Sequence, residues 1–273
     1  SGAASNYSLT SATLDITRRP ISLSGSRVYD STTTASASDL TTLSNRVGSE
    51  TLVLSNSGTI SNANVGTDKA VTVGSLSLGN GSNGGLGSNY TLSGGTHTLS
   101  VTKRPITISG TRVYDGSATV SNSSINTLNN RASSETLSIT GSGSIGSAAV
   151  GSGKVIALGT LSLADNSGSA SNYLLSSGTF DVTAKNVTFV GSRVYDGTTT
   201  VNTSNISSTF SGLVGSETLT LSGSGSVASK DVASGQSVTI GSIAIANGTG
   251  VASNYALTSA TLDITRRPIS LSG

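Results

Sequence analysis

The side chains able to do acid–base or ligand chemistry are few and fall at regular intervals. Glutamate occurs only at Glu50, Glu135 and Glu217, each inside a Ser-Glu-Thr triplet; histidine occurs only at His97, and cysteine nowhere. All seven tyrosines lie in two recurring motifs. One is Asn-Tyr, at Tyr7, Tyr90, Tyr173 and Tyr255. The other is Arg-Val-Tyr-Asp, which supplies Arg27, Tyr29 and Asp30, then Arg112, Tyr114 and Asp115, then Arg193, Tyr195 and Asp196. An aspartate beside a phenol ring suits a cation or sugar contact, with the carboxylate as ligand and the ring as platform. The glutamates suit general acids, or the carboxylate that assists a Lys–Asn isopeptide bond.

Each chemical reading meets a plainer one. Catalysis is poorly served, because no hydroxyl has a recurring base beside it and the one histidine, in Thr96-His97-Thr98-Leu99, reads as a strand residue; the chain is not expected to be an enzyme. An isopeptide bond needs the same lysine in each copy, but Lys69 and Lys154 align with Gln236. No cofactor is expected. Structural calcium is the alternative, at Asn80-Gly81-Ser82-Asn83-Gly84-Gly85 and Asp165-Asn166-Ser167-Gly168, although six to eight oxygen ligands are hard to assemble with so few carboxylates. Tyr-Asp-Gly reads as a turn, since Asp caps the backbone two residues on and Gly accepts φ > 0. Arg27 and Tyr29 share a strand face, so the guanidinium is expected to flank or stack on that ring. Tyr7, Tyr90, Tyr173 and Tyr255 share faces with the leucines two residues on and read as core anchors.

The elements that hold these residues are strands. Ser and Thr make up about a third of the 273 residues, Gly adds 34, only 10% are charged and 4% aromatic. Ser, Gly and Asn compete with helical hydrogen bonding or cost backbone entropy, whereas Thr and Val suit a pleated surface, so almost no helix is expected. Thr51-Leu52-Val53-Leu54 and Thr218-Leu219-Thr220-Leu221 alternate with period 2, which disfavours a disordered linker. The Asn-Tyr tyrosines are spaced by 83, 83 and 82 residues. Aligned on all motifs, the chain holds three β modules at 18–102, 103–184 and 185–265, with the end of a preceding module at 1–17 and the start of a following one at 266–273. Modules open on Arg18-Arg19-Pro20, Lys103-Arg104-Pro105 and Lys185-Asn186-Val187. Mid-module, Val71-Thr72-Val73-Gly74-Ser75-Leu76 and its two counterparts slip in aliphatic phase at the glycine, which predicts two short strands or one bulged strand. The total is six or seven strands per module, an all-β fold of small sandwich-like modules in a rod. A net charge of +2 is too slight for a nucleic-acid footprint, and no apolar run approaches the ~20 residues that span a bilayer.

The ordered set basic-Pro-strand, Val-Tyr-Asp-Gly-Thr-Thr at 194–199, Gly-Ser-Glu-Thr-Leu at 215–219, Val65-Gly66-Thr67-Asp68-Lys69-Ala70-Val71-Thr72-Val73 and Asn-Tyr-x-Leu resembles the YDG or MBG-type repeat modules. These occur in large secreted bacterial surface proteins, including filamentous-haemagglutinin-like, two-partner-secretion adhesins. The first module departs from the pattern with Ser31 where the others have Gly116 and Gly197. The resemblance implies a stalk or fibre at the bacterial surface, extracellular and without catalytic residues. The partner expected is the chain itself, by lateral or end-to-end association. The alternative is a polysaccharide held by the tyrosines and by basic pairs such as Arg18-Arg19. Residues 11–25 and 259–273 are identical at an offset of 248, so a super-repeat of three modules is expected.

Overall fold

A computed structural model describes residues 1–271. Two compact units are present, one formed by Ser1–Pro105, Asn130–Thr136 and Asp165–Leu174, the other by Ile106–Asn129, Leu137–Ala164 and the described residues from Leu175 onward. The second repeat thus supplies two short segments to unit 1 and its sheet to unit 2.

Unit 1 carries the first repeat, with β1 (Arg19–Pro20), β2 (Ser22–Val28), β3 (Thr34–Ser36), β4 (Thr42–Ser44), β5 (Leu52–Ser55), β6 (Ser57–Ile60), β7 (Gly66–Thr72), β8 (Ser77–Asn80), β9 (Tyr90–Thr91) and β10 (His97–Thr102). Six form one mixed sheet in the order β3-β6-β7-β10-β2-β4, while β5 pairs with β8 and β1 with β9. β10 and β2 run parallel at its centre, from His97 opposite Leu23 to Thr102 opposite Val28. β7 serves two partners: Lys69 and Ala70 pair with β10, Val71 and Thr72 with β6. Unit 2 repeats this order twice, around parallel pairs Arg104–Val113 with Thr179–Thr183 and Lys185–Val194 with Tyr255–Thr265. The only helical segments among the described residues are single 3-10 turns such as Ala170–Asn172.

Period-2 alternation is cleanest where the sheets are central. Ile21 and Leu23, Ile106 and Ile108, and Val187 and Phe189 are all buried, with polar residues between them. In the third repeat Phe189, Val201, Val227, Val238, Ile243 and Leu262 form one core, against which Leu221 of the two-stranded ribbon packs as a second layer. The facing central strands trade volume: Leu23 lies near Leu99 in the first repeat, Ile108 near Phe180 in the second and Phe189 near Leu262 in the third, all essentially fully buried. One large ring is accommodated on either strand because the total volume is kept.

The phase slip resolves into two strands. β7 ends at Thr72 and β8 begins at Ser77, and Gly74, Gly159 and Gly241 take φ of 57°, 55° and 58° in the three turns. Strands outnumber the six or seven expected per module, because edge strands such as β3 carry one buried residue each, Ala35 here, and show no period. Residues 13–17 form no strand, and Leu14 and Ile16 are 84% and 88% exposed. Tyr7 is likewise no core anchor, at 77% exposure. Residues 266–271 form no strand, and the last two residues of the segment 266–273 lie outside the described ones.

Ser31 keeps the turn that Gly116 and Gly197 make, with φ of 66° against 79° and 80°. A Cβ in the left-handed region costs about 1 kcal/mol, so Ser31→Gly is expected to raise stability by roughly that amount in urea unfolding, unlike Ser38→Gly, in an exposed-to-half-buried loop of ordinary φ.

Candidate functional site

The Arg-Val-Tyr-Asp turn is built from its own ends. Asp30 Oδ1 accepts the Thr32 N–H at 2.9 Å, and Asp196 Oδ1 accepts that of Thr198 at 3.0 Å. Arg27 Nη1 pairs with Asp30 Oδ2 at 2.9 Å and Arg193 Nη1 with Asp196 Oδ2 at 3.0 Å, while Arg112 and Asp115 stand 3.4 Å apart. The same guanidinium reaches forward to loop carbonyls, those of Thr32 and Thr34 for Arg27 and of Thr198 and Thr200 for Arg193. The expectation that Arg27 stacks on Tyr29 is therefore corrected: five donors in a fixed fork match the turn's oxygens better than a ring face. Arg112 instead sits over the ring of Phe180 at 5.6 Å, on the neighbouring strand, and Lys230 Nζ over that of Tyr195 at 5.9 Å. The Thr198 N–H, with its hydroxyl and Arg193 adding, holds the Asp196 carboxyl below its ordinary pKa.

The turn aims its tyrosine at a glutamate of the next repeat. In unit 2, Tyr114 Oη donates to Glu217 Oε1 at 2.7 Å and Tyr255 Oη donates to Glu217 Oε2 at 2.5 Å. The Val214 N–H donates to Tyr255 Oη at 3.1 Å, and the two rings meet edge to face, 5.5 Å apart at 81°. Unit 1 contains the same device: Tyr29 and Tyr173 donate to Glu135 Oε1 and Oε2 at 2.6 and 2.5 Å, the Ala132 N–H donates to Tyr173, and the rings lie 5.4 Å apart at 78°. Glu50 accepts from Tyr90, which accepts from the Val47 N–H. Edge-to-face rings and a shared charged acceptor are both favourable in a half-dry setting.

Asparagine adds a second tie. Asn172 Oδ1 accepts the Val65 N–H and Asn254 Oδ1 the Val150 N–H, each at 2.9 Å, and both asparagines are buried. The loop offering the Val65 N–H is held by Lys69 Nζ, 2.7 Å from the Asn62 carbonyl; in the third repeat Gln236 Nε2 reaches the Asp231 carbonyl at 2.9 Å. An amide replaces an ammonium there because the task is donation to a carbonyl. Of the basic pairs, Arg104 is committed to Asn130 and to the Tyr29 carbonyl, and Arg19 to Asn45.

The remaining expectations have simpler places. His97 opens β10 with Nε2 2.8 Å from the Leu92 carbonyl. In the loops considered for calcium, Thr51 and Thr136 N–H groups bond Ser82 and Ser167 across the loop, and no cluster of three His, Cys, Asp or Glu exists among the described residues. Sequence reasoning placed the tyrosines and glutamates in separate motifs and missed both their pairing and the asparagines. The signal was present in Asn preceding Tyr in every copy.

Burial first, then the glutamate hydrogen bond, raises the Tyr29, Tyr114, Tyr173 and Tyr255 hydroxyls, Tyr255 from 10.0 to about 12. A folded-state pKa above the unfolded one gives stability that is complete below pH 10 and lost as pH climbs to the folded value. The unfolding free energy measured in urea should hold up to pH 10 and then fall, by at most about 1.4 kcal/mol per pH unit per tyrosine, as tyrosinate absorbance rises. A free energy unchanged to pH 12 would contradict this.

Fold and site together define a tandem all-β repeat protein in which a glutamate of one repeat ties its own tyrosine to that of the repeat before. The YDG domain family matches at residues 16–99, 100–180 and 181–262, and the chain belongs to that family as three tandem copies. No curated protein and no solved structure matches it.

Proposed function

We propose that the chain is a non-catalytic structural repeat region, a stalk or fibre segment of an extracellular bacterial surface protein. The observation that carries this reading is the use to which the recurring polar residues are put: both carboxylate oxygens of Glu135 and of Glu217 are spent on tyrosines from two successive repeats. Within unit 2 the strands Thr179–Thr183 and Lys185–Val194 are separated by Ala184 alone, which leaves no linker to flex. Ser/Thr-rich surfaces with little charge suit a passive spacer, and the resemblance to repeat modules of secreted surface proteins supports the surface reading. A polysaccharide platform needs exposed rings, whereas Tyr29, Tyr90, Tyr114, Tyr173 and Tyr255 are all buried. Small-angle scattering of the chain tests the reading. A stiff rod that becomes flexible in Glu135→Ala and Glu217→Ala is expected; freely jointed beads in the unaltered chain would overturn it.

A further inference from the structure

The loop between β8 and β9 is longer than its counterparts in the other two repeats. Ser82, Ser167 and Thr249 are equivalent, since each bonds the threonine that follows a glutamate, Thr51, Thr136 or Thr218. Ser82 precedes Tyr90 by eight positions, whereas Ser167 precedes Tyr173 and Thr249 precedes Tyr255 by six. The glycine that closes the loop is also common to all three: the carbonyls of Gly85, Gly168 and Gly250 accept the N–H groups of Gly81, Asn166 and Gly248. The first repeat therefore carries an insertion, Asn83-Gly84, between Ser82 and Gly85. Both inserted residues are exposed and take positive φ, 55° and 84°, a tight turn for which Asn-Gly is the favoured pair.

An Asn-Gly pair can convert itself. The glycine N–H gives its proton to solvent base, the nitrogen attacks the asparagine Cγ, and the Cγ–Nδ2 bond breaks as ammonia leaves. Water then opens the five-membered succinimide at one carbonyl or the other, to aspartate or isoaspartate. Ring closure needs a glycine N–H that is not already donated and open space beside it. Of the three Asn-Gly pairs, Asn80-Gly81 and Asn247-Gly248 offer neither. The Gly81 and Gly248 N–H groups are donated at 3.0 and 3.2 Å, and a Cβ on those glycines would stand 2.2 and 2.5 Å from the Thr51 and Thr218 carbonyl oxygens. Their asparagines are fixed as well, Asn80 Oδ1 accepting the Gly87 N–H at 2.9 Å and Asn247 Oδ1 the Ala252 N–H at 2.8 Å. Among the described residues the Gly84 N–H has no acceptor, and a Cβ there would meet nothing nearer than Glu50 Oε1 at 4.0 Å. We propose that Asn83 is a self-deamidation site and that the fold shields Asn80 and Asn247 from the same reaction. The shielding is kinetic and not an intolerance of the product, because Asp165 stands at the position of Asn80 and its Oδ1 accepts the Ala170 N–H at 2.7 Å. At Asn83 the product does matter. Its Nδ2 donates to the Ser49 carbonyl at 3.1 Å, and a carboxylate has no donor to offer there. Conversion thus frees the turn from Ser49 and adds a negative charge to the first repeat alone.

The test is incubation of the whole folded chain at mildly alkaline pH, followed by peptide mass mapping that locates each amide turned to acid and separates aspartate from isoaspartate. Asn83 should convert at least about tenfold faster than Asn80 and Asn247, because those two must first open a backbone and a side-chain hydrogen bond. In urea, where the shielding is gone, the three sites should convert at similar rates. A chain with Asn83 and Gly84 deleted, which restores the loop length of the other repeats, should fold and show no fast site. Equal rates in the folded chain, a preference for Asn83 that persists in urea, or a fast site that survives the deletion would each overturn the proposal.

Discussion

Tyr255→Ala is expected to lower the stability of the chain by about 3–5 kcal/mol, the cost of truncating a buried aromatic. Tyr255 is 5% exposed and makes three separate contacts: the edge-to-face pair with Tyr114, the bond to Glu217 and the bond from the Val214 N–H. Its removal also leaves the Val214 N–H without its acceptor in a half-buried site, which adds the desolvation cost of an unmet donor. Tyr7→Ala, at the same motif position but 77% exposed, is expected to change stability by less than about 0.5 kcal/mol. Urea unfolding of the two variants side by side measures this, and equal losses would show that the Asn-Tyr tyrosines do not act through burial.

Gly110→Ala is the second large effect, on the order of 2–4 kcal/mol. Gly110 lies opposite Phe180 in the parallel pair, and a Cβ there would stand 2.2 Å from the Ser124 carbonyl and 2.8 Å from the Phe180 ring. The ring has no free volume to retreat into, being 0% exposed, and the carbonyl belongs to backbone. Gly25 and Gly191 occupy the same position, and a Cβ at Gly25 would stand 1.8 Å from the Asp39 carbonyl. Thermal unfolding of Gly110→Ala and of Gly110→Ala with Phe180→Leu separates the two obstacles. The double variant should recover part of the loss by relieving the ring contact, and no recovery would place the whole cost at the Ser124 carbonyl.

Much of the fold could be read from side-chain period. Ile106 and Ile108, or Phe180 and Val182, alternate with polar residues because both central strands face one core, and the glycine phase slip became a turn with φ > 0. Edge strands such as β3 and β4 escaped because β3 buries Ala35 alone and β4 only half-buries Leu43, which defines no period. At the site, the burial of Tyr90, Tyr173 and Tyr255 was legible from the leucine two residues on. The glutamate partners were not, since Tyr29 and Glu135 are 106 residues apart and Tyr114 and Glu217 are 103 apart. Tyr-Asp-Gly has a sufficient local explanation as a turn, and Ser-Glu-Thr carries no signal of a distant phenol, so nothing within either motif points to the other. Arg27 misled for a related reason: sharing a face with Tyr29 is a backbone property, but a long guanidinium goes where its donors are met, at Asp30 and the Thr32 and Thr34 carbonyls.

The claim that the recurring tyrosines and glutamates join successive repeats is tested most directly by a double-mutant cycle on Tyr114→Phe and Glu217→Gln, read by urea unfolding. These substitutions remove the hydroxyl and the charge while leaving ring and amide in place, so the cycle isolates the 2.7 Å bond between two repeats of unit 2. A coupling energy of about 1–3 kcal/mol, in the range of hydrogen bonds to charged groups, is the result predicted. Additive losses, with no coupling beyond about 0.3 kcal/mol, would contradict it.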